Sequence, residues 1–377
     1  VAVDFYRHSL GEDEKRAVAA VLDSLFLTTG QRAFEFEKAF EAYLGLPAVV
    51  CTAHGTAALH LAMLASGIGP GDEVVTTPMT FLASANCVLY AGGTPVFADV
   101  EPSTGNLDVA AVEAAITPRT KAILGVDLYG LLADIRALRT VADRHGLFLV
   151  EDAAHCVEGR RDGYGPGQLA DYGCFSFYAT KNLTCGEGGA ISARDPGKKS
   201  LLRQLSTHGM SKSAADRYAG KYQHWEMERL GYKYNLSDVA ASMLLPQLPK
   251  LAERLRRREA ICRRYEEAFR SVPGVSFPTV PEGAVSARHL FTIWVDPARR
   301  DAILAAIQAK GVGVAVNFRA VHLTKYYVER FGFRRGMYPA AERIGDSTIT
   351  IPLWPAMTDP QVDEVIAAVR AAVAEKG

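Results

Sequence analysis

The chain has 377 residues, with 42 Lys+Arg balanced by 42 Asp+Glu, 49% hydrophobic residues and 22% charged ones. That is enough length for two or three domains of an ordinary globular protein, and a formal charge of zero argues against a nucleic-acid surface or a polybasic membrane anchor. No apolar run approaches the roughly 20 residues that cross a bilayer, residues 1–8 do not read as a secretory leader, and cysteines 51, 87, 156, 174, 185 and 262 form no C-x-x-C pair. The expectation is a cytoplasmic protein with no metal site.

Residues 12–27 carry Val18, Val21, Leu22 and Leu25 at helical spacing, and Thr28-Thr29-Gly30 breaks the pattern. A second helix is predicted over 34–43. A strand over 49–52 leads through His54-Gly55-Thr56 into an Ala/Leu-rich helix at 57–66. From there strands at 73–77, 94–99, 121–126 and 147–152 alternate with helices at 80–91, 109–116 and 135–145. Apolar strands between helices predict an α/β fold with a mostly parallel sheet covered on both faces, and ligand contacts at the carboxyl ends of its strands.

A strand-like run, Cys174-Phe175-Ser176-Phe177-Tyr178, is followed by Lys181, a Gly-rich turn at 186–189 and a further apolar strand at 190–192. Residues 206–235, rich in Gly, Lys, Tyr and His, read as a long ordered loop, a length that is usually functional or packed against a partner. A helix is predicted over 237–270, with Arg254, Arg256, Arg257 and Arg258 on a solvated face. Strands at 289–296, 314–316 and 348–351, with helices at 299–310 and 359–375, complete a small α+β domain. The division expected is a large domain over 1–245 and a small one over 246–377.

Three features carry chemistry. Gly55-Thr56-Ala57 opens a helix after a strand, and a helix N-terminus offers unpaired N–H groups and a positive dipole to a phosphate; the same residues are also a plain cap. Asp152 ends a hydrophobic strand, where a carboxylate is costly unless a cation or donors meet it, and a protonated pyridine nitrogen is such a cation. Two alanines follow, then His155; a capping Asp152 and a core His155 are the structural alternatives. Lys181 lies between apolar strands, where a desolvated amine becomes a nucleophile able to form a Schiff base, unless it simply snorkels to solvent. A phosphate cradle, a pyridinium carboxylate and a Schiff-base lysine are the parts pyridoxal phosphate requires, and Phe81 offers a ring to stack on it.

The sequence resembles the DegT/DnrJ/EryC1/StrS family of sugar aminotransferases along nearly its whole length. The resemblance rests on Phe26-Leu27-Thr28-Thr29-Gly30, His54-Gly55-Thr56-Ala57-Ala58-Leu59, Thr77-Pro78-Met79-Thr80-Phe81 and Glu151-Asp152-Ala153-Ala154-His155. It continues through residues 175–189, 231–238 and Asn317-Phe318-Arg319-Ala320-Val321-His322. It is nearest to members that aminate C4 of nucleotide-linked keto-sugars. It implies a fold-type-I aminotransferase, a homodimer with shared active sites, acting on L-glutamate and a keto-sugar nucleotide, with pyridoxal 5'-phosphate passing through the pyridoxamine form. By position it implies that Lys181 is the Schiff-base lysine and Asp152 the ring-nitrogen partner. His155 faces the ring hydroxyl, where many members carry Gln, and Phe81 stacks. Thr56, Ala57 and Ser176 contact the phosphate, and Asn235 reaches it from the neighbouring subunit. Phe318 and His322 belong to a motif that approaches the sugar nucleotide. His54 departs from the small residue usual at its position. The dehydratases of the family replace the lysine with His, so Lys181 argues against a lyase, and no G-x-G-x-x-G follows an early strand to suggest a nicotinamide enzyme. A C3 transaminase and a non-catalytic binder of the cofactor are the competing readings.

Overall fold

The central sheet has seven strands in the order β1-β8-β7-β5-β4-β2-β3. These are β1 (Val49–Thr52), β2 (Glu73–Thr76), β3 (Thr94–Phe97), β4 (Thr120–Val126), β5 (Phe148–Asp152), β7 (Tyr172–Ser176) and β8 (Gly189–Ala193). A short β6 (Arg160–Arg161) lies apart and pairs with β9 (Ala284–Val285). The computed structural model describes residues 3–211 and 224–376.

From β3 to β7 the sheet is parallel, and β8 runs antiparallel to both β7 and β1. Every residue of β1, β2, β7 and β8 is buried, as expected of strands covered on both faces. On one face the Ala/Leu-rich helix Gly55–Ala65 packs over Val50, Val74, Cys174 and Ile191. On the other, Phe36 and Phe40 of the helix Gln31–Leu44 meet Phe175 and Phe177 edge-on at 5.1–5.6 Å between ring centres. Such T-shaped pairs add stabilisation beyond their buried area. That helix is capped from afar: Asp238 accepts from the amides of Gly30, Arg32 and Ala33 at 2.8, 3.1 and 3.0 Å. A Cβ at Gly30 would lie 2.9 Å from the Asp238 carboxylate, so the Thr28-Thr29-Gly30 break and the Asn235–Asp238 motif are two sides of one contact.

A second core gathers Ile261, Tyr265, Phe269, Phe291, Ile293, Ile303, Ile349, Trp354 and Val369. They come from the helices Leu251–Phe269, Arg300–Ala309 and Asp359–Lys376 around a two-stranded sheet, β10 (Phe291–Trp294) and β11 (Thr348–Ile351). The architecture is thus the α/β sheet with a small α+β C-terminal part. The helix Leu251–Phe269 connects the cores, since Leu251 still packs with the sheet layer while Ile261 belongs to the second.

Several local expectations differ. The first helix stops at Leu22, leaving Leu25 83% exposed. The stretch 237–270 is three pieces, Asp238–Leu244, a 3-10 segment Leu245–Lys250 and Leu251–Phe269; Pro246 and Pro249 cannot donate the amide bonds of a continuous helix. Arg258 is not on a solvated face but 1% exposed. Before the long loop the helix Lys199–Ser206 was not expected. The loop itself holds bridges Thr207 to Lys233 and Met210 to Met227, while its residues 212–223 lie outside the described residues. Only Ala315 of 314–316 pairs, with Thr350, and the helices Lys325–Phe331 and Pro339–Ser347 were unread. Among the described residues all six cysteines are buried and unpaired, and no helix is long and apolar enough to cross a membrane.

Two carboxyls meet under the sheet's carboxyl edge. Asp127 Oδ1 accepts from the Ala133 amide at 2.9 Å and Glu151 Oε2 from Gly167 at 2.9 Å. Their other oxygens are buried with no donor among the described residues, and each carboxyl bears on the protonation of the other. Burial pushes both upward, Glu151 to about 7. A carboxyl raised in the folded state contributes stability that is complete below its unfolded value of about 4.3 and is lost as pH climbs to the folded value. We therefore expect wild-type stability to decline between pH 4.3 and about 7 in a way that Glu151→Gln removes. The difference, read from denaturant midpoints, should change by about 1.4 kcal/mol per pH unit.

Candidate active site

The strand register brings the site together. Val126 pairs with Asp152, and Asp152 with Cys174, so the carboxyl ends of β4, β5 and β7 open into one cavity of about 740 Å³. His54, Thr56, Phe81, Ser84, Asp152, His155, Ser176 and Lys181 line one side. Tyr6, His289, Asn317, Phe318, Ile351 and Leu353 close the other, so the cavity lies between the two cores.

Asp152 is 5% exposed. Its Oδ2 accepts from Ser84 Oγ at 2.7 Å and its Oδ1 from the Ala154 amide at 3.1 Å, while Thr80 holds Ser84 at 2.8 Å. Burial raises its proton affinity; the bonds from Ser84 and Ala154 and the charge of Lys181 oppose that. A carboxylate so placed is poised for a cation inside the cavity.

Lys181 follows β7 in an excursion that returns to β8. The Phe177 amide bonds Gly188 at 2.8 Å and the Cys185 amide bonds Phe177 at 3.0 Å, closing its base. Lys181 Nζ has no hydrogen-bond or ion-pair partner among the described residues, and burial brings its pKa down to about 8 against the pull of Asp152. Such an amine has an uncharged, nucleophilic fraction near neutral pH that an ordinary lysine lacks.

Glycine makes the remaining approach possible. A Cβ on Gly55 would sit 2.8 Å from Ser176 Cβ, and one on Gly189 2.6 Å from the Gly55 amide nitrogen, so the N-terminus of the helix Gly55–Ala65 rests directly on β7 and β8. Thr56 and Ser176 face the cavity there. Ala57 does not line it: its amide donates to the carbonyl of His54 at 3.0 Å and to His54 Nδ1 at 2.9 Å. The resemblance expects this amide at the phosphate; in this structure it is taken by His54, the N-cap of the helix.

Phe81 is 56% exposed, a large apolar ring left open on the cavity wall, 6.0 Å from Phe318. His155 stacks on Phe318 at 5.9 Å and 13° and lies 4.5 Å from the His289 ring. Burial, then the charge of Lys181, pushes His155 and His289 well below the ordinary imidazole value. His155 Nδ1 is buried without a partner.

Two expected residues are not brought to the cavity. His322 is fully buried, bonded through Nε2 to Glu342 at 3.1 Å and enclosed by Phe97, Phe333 and Tyr338. Asn235 sits away from this chain's pocket, donating to Thr29 Oγ1 at 2.7 Å. Conversely, Tyr6, Ser84 and His289 were missed. Ser84 lies in an Ala-rich helix and His289 beside a strand, each without neighbours that mark it. Behind His289 its Nδ1 meets Asn182 at 3.4 Å. Asn182 is held by Glu158 at 3.1 Å, and Glu158 by the buried Arg258 at 2.5 Å.

The residues fit a pyridoxal phosphate: an unpartnered lysine, a buried carboxylate, an open aromatic ring and a hydroxyl-lined helix end surround a volume large enough for cofactor and substrate. Comparison with known proteins agrees. The model of the DegT/DnrJ/EryC1/StrS aminotransferase family matches residues 8–370. The spore coat polysaccharide biosynthesis protein SpsC of Bacillus subtilis (strain 168) is 42% identical over 367 residues, 96% of this chain and 94% of its own. DesV of S. venezuelae superposes with TM-score 0.88 at 36% identity, covering 96% of this chain and 94% of that one. Spr1654 of Streptococcus pneumoniae, solved in a PLP-form, gives TM-score 0.93 at 29% identity over 100% and 99% of the two chains.

The low pKa of Lys181 has a chemical signature. In the full-length protein freed of cofactor, labelling of Lys181 by an amine-specific acylating reagent, followed by peptide mapping, should rise with a midpoint near pH 8. Exposed lysines should follow their ordinary value of about 10.4.

Proposed function

From the premise that the chain belongs to the DegT/DnrJ/EryC1/StrS aminotransferase family, we propose that it transfers the amino group of L-glutamate to a nucleotide-linked keto-sugar, at C4. It is an aminotransferase, and pyridoxal phosphate is its cofactor. The observation that carries the reading is the unpartnered Lys181, opposite the buried Asp152, in a cavity with room for a sugar beyond the cofactor. The C4 position is supported by the likeness of the motifs to C4-aminating members.

The cofactor, when bound, supplies an electron sink for the charge left at the donor carbon. The protein supplies the rest. Asp152, steadied by Ser84 and Ala154, would favour a proton on the cofactor's ring nitrogen. Lys181 Nζ, whose proton affinity burial lowers, is the group that would take the proton from Cα of the donor and later give it back. Phe81 and the neutral His155 would hold a flat ring in place, and Thr56 and Ser176 would receive its phosphate. Phe318 forms the wall on the sugar side. In this reading a large part, 1–245, carries the cofactor, and a small part, 246–377, closes the cavity with His289, Leu290 and Phe318. The chain acts as a homodimer in the cytoplasm. Asn235 completes the partner's phosphate site, and the exposed Leu22, Leu25 and Leu230 suit a covered face.

Incubation with glutamate and 3-keto or 4-keto nucleotide sugars, followed by NMR of the products, should give amine at C4; amine at C3, or none, overturns the reading. Lys181→Ala should lower turnover by about 10²–10⁴-fold, the share typical of a positioned acid–base group. Subunit sharing has a separate test. Mixed Lys181→Ala and Asn235→Asp proteins, each impaired alone, should recover about a quarter of wild-type activity, because half the dimers are hybrid and each hybrid keeps one intact site. No recovery after subunit exchange would refute shared sites.

A further inference from the structure

His54 stands where it can do two things at once. It is the N-cap of the helix Gly55–Ala65, with extended backbone (φ −165°, ψ 162°), and its Nδ1 accepts the Ala57 amide at 2.9 Å. An imidazole nitrogen that accepts carries no proton, so the ring is neutral and its hydrogen is on Nε2. Nε2 has no partner among the described residues, and the ring lines the cavity beside Thr56 and Ser176. The ring is positioned at its edge by Tyr234, 5.8 Å away. The Tyr234 carbonyl in turn accepts the Ala53 amide at 2.6 Å.

We propose that His54 is a phosphate ligand of this enzyme: its Nε2–H, directed by the Nδ1 bond to Ala57, donates to the phosphate monoester of the cofactor in place of the Ala57 amide. The imidazole moves the donor of the helix end outward by the width of a ring. The phosphate then rests on His54, Thr56 and Ser176 rather than on the bare first turn. Because Nδ1 receives an amide N–H at a helix N-terminus, Nε2–H is the better donor to an anion. Asn at the same position would still cap the helix but could not reach as far. The assignment rests on the cofactor reading above.

Equilibrium dialysis of the full-length holoenzyme measures it. In His54→Asn the Kd for pyridoxal 5'-phosphate should rise about tenfold or more, the worth of a hydrogen bond to a charged group. The Kd for unphosphorylated pyridoxal should stay as in wild type, and so should Tm, which reports the cap. His54→Gln, longer and able to accept and donate, should lie between the two and serves if the Asn variant is poorly folded. Unchanged affinity for the phosphorylated cofactor in both variants, or equal loss for pyridoxal, overturns the proposal. Uridine diphosphate, added at millimolar concentration, should leave cofactor binding unchanged. Displacement that depends on His54 would give the site to the sugar nucleotide's diphosphate instead and overturn the cofactor assignment. Failure of the wild-type protein to bind pyridoxal phosphate at all would count against the cofactor reading and not against His54 in particular.

Discussion

Asp152 is the constraint from which the rest of the site follows. A carboxylate at the buried end of β5 is tolerated because Ser84 and the Ala154 amide donate to it and because Lys181 faces it across the cavity. Each support comes from a different place. Ser84 is fixed by Thr80 in the turn before the helix Leu82–Tyr90. Ala154 belongs to the turn after β5, and Lys181 to the excursion between β7 and β8. The pairing of β5 with β7 sets the spacing. A one-residue slip in that register would turn Asp152 to the opposite face.

The same edge of the sheet carries a second carboxylate system with the opposite logic. Asp127 and Glu151 do not line the cavity and meet no cation among the described residues, so burial favours their protonated forms. Adjacent residues, Glu151 and Asp152, thus have different fates because successive strand residues face opposite sides. Asp152 looks into a cavity built for a cation, and Glu151 into a sealed layer. On the small side, the chain Arg258–Glu158–Asn182–His289 ties the long arginine-rich helix to the cavity wall. Removing one member of the buried Arg258–Glu158 pair would leave the other charged without its counter-ion. The position of His289, and through it the face of His155, therefore depends on residues that never reach the cavity.

Much of this was legible in the sequence. Alternating apolar runs and helical periods give the sheet and its covering helices, because burial on both faces demands near-continuous hydrophobic strands. Lys181 and Asp152 stand out because charge in an apolar run needs a reason. Where reading failed, the cause was context. Arg258 looks like its neighbours Arg256 and Arg257; only the fold puts Glu158 beside it. The burial of the His322 ring among Phe97 and Phe333 was equally illegible, because Phe97 comes from a distant part of the chain. Pro246 and Pro249 were present in the predicted helix, and their missing amides broke it into shorter pieces.

The sequence by itself determined the family, the chemistry of the lysine and carboxylate, and the alternation of strands and helices that builds the central sheet, since these depend on residue type and local spacing. Tertiary structure alone decided which residues share a wall. The contacts of Ser84 with Asp152, His289 with His155 and His54 with the amide of Ala57 depend on orientation. So does the capping of the helix Gln31–Leu44 by Asp238, 208 positions from Gly30. Direction in space is set by strand register and close packing, which no periodicity records.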